Sequence, residues 1–199
     1  MANQEQTDEF LIEYSQQGQL EAFNQLVLRY QNLVYSVAYR IMGDTQSASD
    51  VTQDTFLKAY QKLDTFRGGN FKAWLTRIAS NRCYDELRKI KRHPETYLED
   101  LTPEDSNDEA PIPSSADTPE EVAQQADLQR AIQQCIQNLK ADQRVVLVLS
   151  DVQEMSYQEI AETTNAQIGT VKSRLSRARV SVRNCLQGYS ELLPDQYRL

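Results

Sequence analysis

The sequence predicts an all-α chain built as two small helical domains, residues 1–93 and 122–199, joined by an acidic, proline-rich linker at 94–121. Three observations predict it. Apolar residues recur at spacings of three and four along most of the chain, with few glycines and no alternating β-branched runs. The stretch "PETYLEDLTPEDSNDEAPIPSSADTPEE" holds 10 acids, no base and five of the 6 prolines, so it cannot bury a core of its own. Its flanks are near neutral, with 12 Lys/Arg against 11 Asp/Glu before it and 9 against 8 after it. The net charge of −8 therefore belongs to the linker and not to the domains.

Each element has a local reason. Thr7 is placed to cap a first helix that ends at Gly18. A long second helix follows, with Leu20, Phe23, Leu26, Val27, Tyr30, Val34, Val37, Ala38 and Ile41 on one side, and Gly43 ends it. Asp44 caps a third helix through "SASDVTQDTFLKAYQKL". The loop "DTFRGGN" breaks it, and Asn70 caps a fourth that runs into the basic "RKIKRH". After the linker, Thr118 as N-cap, Pro119 in the first helical position and acids in the first turn signal a new helix. About four helices make the second domain.

Composition excludes several classes. No apolar run approaches the roughly 18 residues of a membrane span, and "MANQEQTDEF" is too polar and acidic for a secretory signal. Cys83, Cys135 and Cys185 are far apart, with no CxxC and no neighbouring histidine, and read as reduced thiols of a cytoplasmic protein. His93, the only histidine, lies in a basic run. No residue cluster has metal-ligand or triad spacing and no glycine-rich phosphate loop is present, so no catalytic site, metal or cofactor is expected.

"MSYQEIAETTNAQIGTVKSRLSRAR", Met155 to Arg179, carries its acids in the first half and Lys172, Arg174, Arg177 and Arg179 in the second. Ser156 and Glu159 form a capping box, with Met155 and Ile160 as its hydrophobic staple. A short helix runs to about Thr163, Asn165 takes the left-handed conformation that ends it, and a second helix starts near Gln167 and passes Val182. A short helix, a tight turn and a longer basic helix make a helix-turn-helix. Ile168, Val171, Leu175, Ala178 and Val182 share the expected core face. Gly169, Thr170, Lys172, Ser173, Ser176 and Arg177 are left for a duplex, with Lys and Arg suited to phosphates or guanine edges. A solvated basic face is the plainer reading of one charged helix. The capped partner helix and the acid-free stretch from Thr163 to Ser190 favour DNA.

The first domain carries a basic run of its own, Arg67, Lys72, Arg77, Arg82, Arg88, Lys89, Lys91 and Arg92, against Asp85 and Glu86. Aromatics and bases around a Gly-Gly loop suit single-stranded DNA, where bases stack and the backbone is neutralised. Phe56, Trp74, Leu75 and Ile78 read first as core.

"DVTQDTFLKAY", "FRGGNFKAWLTRIASN" and "MSYQEIAETTNAQIGTVKSRLSRAR", in that order either side of a variable linker, resemble the bacterial sigma factors of the extracytoplasmic-function class, in the sigma-70 family. The resemblance covers nearly the whole chain. It implies a protein that binds core RNA polymerase, with an N-terminal domain that opens the −10 element and a C-terminal one that reads the −35 element. It places Asp50, Gln53, Asp54 and Phe56 in the core-polymerase segment. Phe66, Arg67, Asn70 and Phe71 fall on the loop where the family captures a flipped base of the non-template strand. Arg77, Asn81 and Arg88 fall on the −10 helix, and Gly169, Thr170, Lys172, Ser173, Ser176 and Arg177 on the −35 helix. It also implies control by an anti-sigma factor. One departure is visible: the family often has Gly before the turn and Pro at the start of the recognition helix, where this chain has Asn165 and Gln167.

Two other functions fit parts of the sequence. One is a two-domain helix-turn-helix regulator that binds duplex DNA without polymerase. The other is an adaptor or sigma antagonist whose acidic segment fills a basic groove, which gives no reason for the basic helix faces. Within a sigma factor the linker is either a soluble spacer or a polyanion that mimics nucleic acid in a polymerase channel.

Overall fold

The computed structural model describes residues 7–92 and 119–194. Every regular element among them is helical. Linker residues 94–118, with the Thr118 cap, and His93 lie outside the described residues. Two compact units divide the chain between Glu86 and Leu87, inside the helix Phe71–Arg92, which is taken as a whole with the first unit.

The first unit starts with α1 (Asp8–Gln16), capped by the Thr7 hydroxyl, which accepts from the Phe10 amide. Gly18 turns the chain at φ +88° into α2 (Leu20–Met42). Arg29 and Tyr30 of α2 both bond Asp8, which fixes the start of α1. Burial and that neighbouring carboxylate push the Tyr30 phenol up to about 12. Gly43 closes α2 in the left-handed region, and the Asp44 carboxylate caps α3 (Thr45–Lys62) by accepting from the Ser47 amide at 2.7 Å. A single 3-10 turn, Leu63–Thr65, ends α3, and α4 (Phe71–Arg92) begins after the Gly-Gly loop. The core holds Leu11 and Ile12 of α1, Phe23, Leu26 and Val34 of α2, Phe56 and Ala59 of α3, and Phe71, Leu75 and Ala79 of α4. Leu20 departs from its expected core position. As the first residue of α2 it is 57% exposed, whereas the stripe is buried from Ala22 and Phe23 onward.

The second unit runs α5 (Pro119–Gln137), α6 (Ala141–Leu147), a π turn at Val148–Val152, α7 (Tyr157–Thr164), α8 (Ile168–Leu186) and a 3-10 segment, Gln187–Leu192. Arg144 donates to the carbonyls of Gln137 and Leu139 at 2.6 and 3.2 Å, so a half-buried guanidinium satisfies the end of α5. Burial pulls its pKa down. Val145, Val146, Val148, Leu149, Ile160, Val171 and Leu175 are buried, with α8 packed on α5, α6 and α7.

The cysteines correct one expectation. Cys135 of α5 and Cys185 of α8 form a disulfide, with Cα atoms 5.7 Å apart, and are not reduced thiols. Their separation of 50 residues leaves no local signature, and only the packing of α8 on α5 brings them together. Cys83 is the free cysteine, and burial pushes its thiol up to about 12.

Candidate nucleic-acid interface

In the second unit the capping box forms as the spacing requires. The Ser156 amide donates to a Glu159 carboxylate oxygen at 2.8 Å, and the Glu159 amide returns a bond to the Ser156 hydroxyl at 3.3 Å. Met155 and Ile160 are both buried. Asn165 ends α7 at φ +50° and ψ +47°, the left-handed region that asparagine enters more readily than most residues. Gln167 occupies the N-cap of α8 but makes no side-chain capping bond. The helix-turn-helix is therefore set by α7 and its cap, without a proline at the start of α8.

Successive residues of α8 turn by about 100°, so its side chains sort into sectors. Val171, Leu175 and Ala178 are buried and Val182 is half-buried. Ile168, expected among them, is the first helical residue and is 44% exposed. Gly169, Lys172, Ser176 and Arg177 are exposed, while Thr170 and Ser173 are half-buried. Ser173 Oγ donates back to the Thr170 carbonyl at 3.0 Å.

The four cations between Ile168 and Arg179 have different fates. Arg174 donates to Asp142 of α6 at 2.7 Å. Arg179 grips Asp151 through Nε at 2.9 Å and Nη2 at 2.6 Å, a bidentate pair. That contact raises the Arg179 pKa and lowers that of Asp151. Asp151 reaches it from the π turn, where the Gln153 amide bonds the Val148 carbonyl at 3.1 Å. Among the described residues, Lys172 and Arg177 have no carboxylate partner; the Lys172 ammonium lies 5.9 Å over the Tyr157 ring of α7. Two arginines thus clamp α8 to its scaffold, and Lys172 and Arg177 take no part in that clamp.

In the first unit, Asp50 and Gln53 are exposed on α3, whereas Asp54 pairs with Arg82 of α4 and Phe56 is buried in the core. Arg67, Gly68, Gly69 and Asn70 are exposed, and both glycines have φ near +95°. The Asn70 side chain caps α4 by accepting from the Ala73 amide at 3.0 Å. Phe66 and Phe71 turn inward and meet Trp74 and each other with ring centroids 5.4 to 5.6 Å apart. They brace the loop from beneath. On α4, Asn81 and Arg88 are exposed and Arg77 is half-buried. Sequence reasoning missed Gln16, Asp142, Asp151 and Tyr157, all of which act across long sequence distances.

Comparison with known proteins agrees with this construction. Residues 26–93 match the family described as Sigma-70 region 2, and residues 129–182 match Sigma-70, region 4. The ECF RNA polymerase sigma-E factor of Haemophilus influenzae is 38% identical, over 91% of this chain and 96% of that protein. The RNA polymerase sigma-H factor of Pseudomonas aeruginosa is 37% identical, over 94% of this chain and 97% of its own. Among solved structures, the sigma factor RpoE of Bartonella quintana, in complex with the anti-sigma factor NepR, aligns at a TM-score of 0.60 and 29% identity. That alignment covers 82% of this chain and 96% of the other. The chain belongs to the sigma-70 family and is an RNA polymerase sigma factor of the ECF class.

Proposed function

We propose that the chain binds core RNA polymerase and directs it to promoters, with residues 1–93 serving the polymerase and the −10 element and residues 122–199 reading the −35 duplex. It acts by binding and is not itself an enzyme. The observation that carries this reading is the sorting of cations on α8, which supports a −35 surface made of Gly169, Thr170, Lys172, Ser173, Ser176 and Arg177. Small residues beside two cations without carboxylate partners among the described residues let the helix approach a major groove closely.

Asp50 and Gln53 offer an exposed polar face to the polymerase, with Asp54 and Phe56 holding α3 in place behind it. Arg67 and Asn70 flank the Gly-Gly loop that takes a flipped non-template base, with Phe66 and Phe71 as its floor, while Arg77, Asn81 and Arg88 contact the −10 strand. The Bartonella relative is held by an anti-sigma factor, and the same kind of partner is proposed here. No helix among the described residues is long and apolar enough to cross a membrane; a cytoplasmic site of action is proposed on the ground of the polymerase partner.

Transcription in vitro with purified core polymerase and a pool of genomic promoters tests the proposal. The chain should confer initiation at a small set of sites that share a −35 and a −10 sequence. A regulator independent of polymerase would instead bind its operator unaided and leave core enzyme silent.

A further inference from the structure

Gln16, the last residue of α1, reaches across to the chain that leads into the Gly-Gly loop. Its Nε2 donates to the Leu63 carbonyl at 2.9 Å and to the Phe66 carbonyl at 3.1 Å. These carbonyls mark the two ends of the turn that closes α3, since Leu63 opens the 3-10 helix and Phe66 follows it. A side-chain NH2 has two donors, so both are used, one per carbonyl. The Leu63 carbonyl also accepts from the Phe66 amide at 3.0 Å, which fills both of its lone pairs.

The position of this amide matters because the exposed loop begins at the very next residue after Phe66. Residues 67–70 are exposed, and Gly68 and Gly69 occupy backbone conformations that carry little intrinsic stiffness. The downstream end of the loop is pinned by the Asn70 cap and by Phe71 and Trp74. At the upstream end Phe66 is packed through its ring, but its backbone direction is set by the 3-10 turn and by Gln16. Gln16 is itself exposed, while the core beneath is closed by Leu11, Leu63 and Phe71, so the amide is not needed to bury apolar surface.

We propose that Gln16 is a positioning residue for base capture: its amide fixes the direction in which the chain enters the loop, and so where a flipped non-template base is received. The inference rests on the base-capture role proposed above. It requires a donor at this position. Ala has none, and Glu would set a carboxylate against two carbonyl oxygens. Lys carries donors on a side chain long enough to reach them.

The test uses holoenzyme assembled from the full chain and core polymerase, on templates with a pre-melted −10 region. Each non-template position of the bubble carries the four bases in turn, and the readout is the ratio of binding between the best and worst base at each position. Gln16→Ala should lower that ratio at the captured position by at least about fivefold, the low end of what one stacked base contributes. Other positions, and −35-dependent binding to intact duplex, should not change. Gln16→Lys should restore the ratio even if its charge raises binding to every template, since a uniform gain cancels. A Gln16→Ala ratio equal to wild type overturns the proposal. So does a uniform loss at all positions, or a Gln16→Ala chain that no longer folds, since either assigns the amide to stability alone. If wild-type holoenzyme shows no base preference anywhere in the bubble, the base-capture reading fails first, and this inference fails with it.

Discussion

The division of labour among the α8 cations leads to a measurable asymmetry in salt dependence. Consider four single replacements, Lys172→Ala, Arg174→Ala, Arg177→Ala and Arg179→Ala, assayed for holoenzyme binding to a promoter duplex across a range of salt. Removing a cation that neutralises one phosphate should flatten the slope of log affinity against log salt by about 0.9. Between 50 and 200 mM salt, one such increment corresponds to a change of about 3.5-fold. Among the described residues, Lys172 and Arg177 are exposed and hold no carboxylate, so each replacement should remove one increment. If either reads a base edge, an added loss of about 1–3 kcal/mol appears on the preferred −35 sequence alone. Arg174 and Arg179 already spend their donors on Asp142 and Asp151. Their removal should leave the slope unchanged and cost stability instead. Both pairs reach solvent, with side-chain exposures of 23% and 46% for the first and 50% and 33% for the second. That places each within the range of about 0.2–1 kcal/mol found for exposed ion pairs. Filter binding or fluorescence anisotropy measures the slopes, and thermal unfolding measures the stabilities. If Arg174→Ala or Arg179→Ala flattens the slope as much as Lys172→Ala, these pairs open on DNA and the assignment of roles is wrong.

Three further outcomes concern the second unit. Reducing the Cys135–Cys185 bridge, which spans 50 residues, should lower the unfolding free energy by up to about 4 kcal/mol on a chain-entropy estimate; urea unfolding with and without reductant measures it, and coincident curves would count against the bridge. The Asp151 carboxyl is held below its ordinary value of 3.8 by the Arg179 guanidinium, so its contribution is present above that pH and is lost as pH falls through the folded-state value. The stability gap between wild type and Asp151→Asn should therefore be full at neutral pH and shrink below about pH 4, as acid-titrated thermal melts would show. Asn165→Ala should cost about 1 kcal/mol for a left-handed residue without asparagine's tolerance, and Asn165→Gly should cost little or nothing; equal melting points for the two would refute the turn argument.

Local rules carried most of the secondary structure. Thr7, Asp44, Asn70 and Ser156 all cap where their spacing places them, because a cap needs only a side-chain oxygen within reach of amides two or three residues on. The turn at Asn165 and the buried stripe of Val171, Leu175 and Ala178 were equally legible, being set by one residue's conformational tolerance and by helical period. Period alone could not place Leu20 or Ile168. Each begins a helix, and whether a first-turn residue is covered depends on how far the neighbouring helix extends.

The candidate site divides along the same line. Which residues form the basic face of α8 follows from the sequence, since helical geometry orders side chains around the axis. Which of those cations are held by carboxylates does not. Asp142 and Asp151 stand 32 and 28 residues before the arginines they hold, and Gln16 stands 47 and 50 residues before the carbonyls it binds. The Cys135–Cys185 bridge has the same character. No spacing rule spans such distances, because these partners meet only when separate helices pack. Sequence by itself determined the helices, their caps and the charge placed on each face. Tertiary structure alone decided which charges are neutralised internally and which stay without a carboxylate among the described residues, because an ion pair depends on the position of its partner in space and not along the chain.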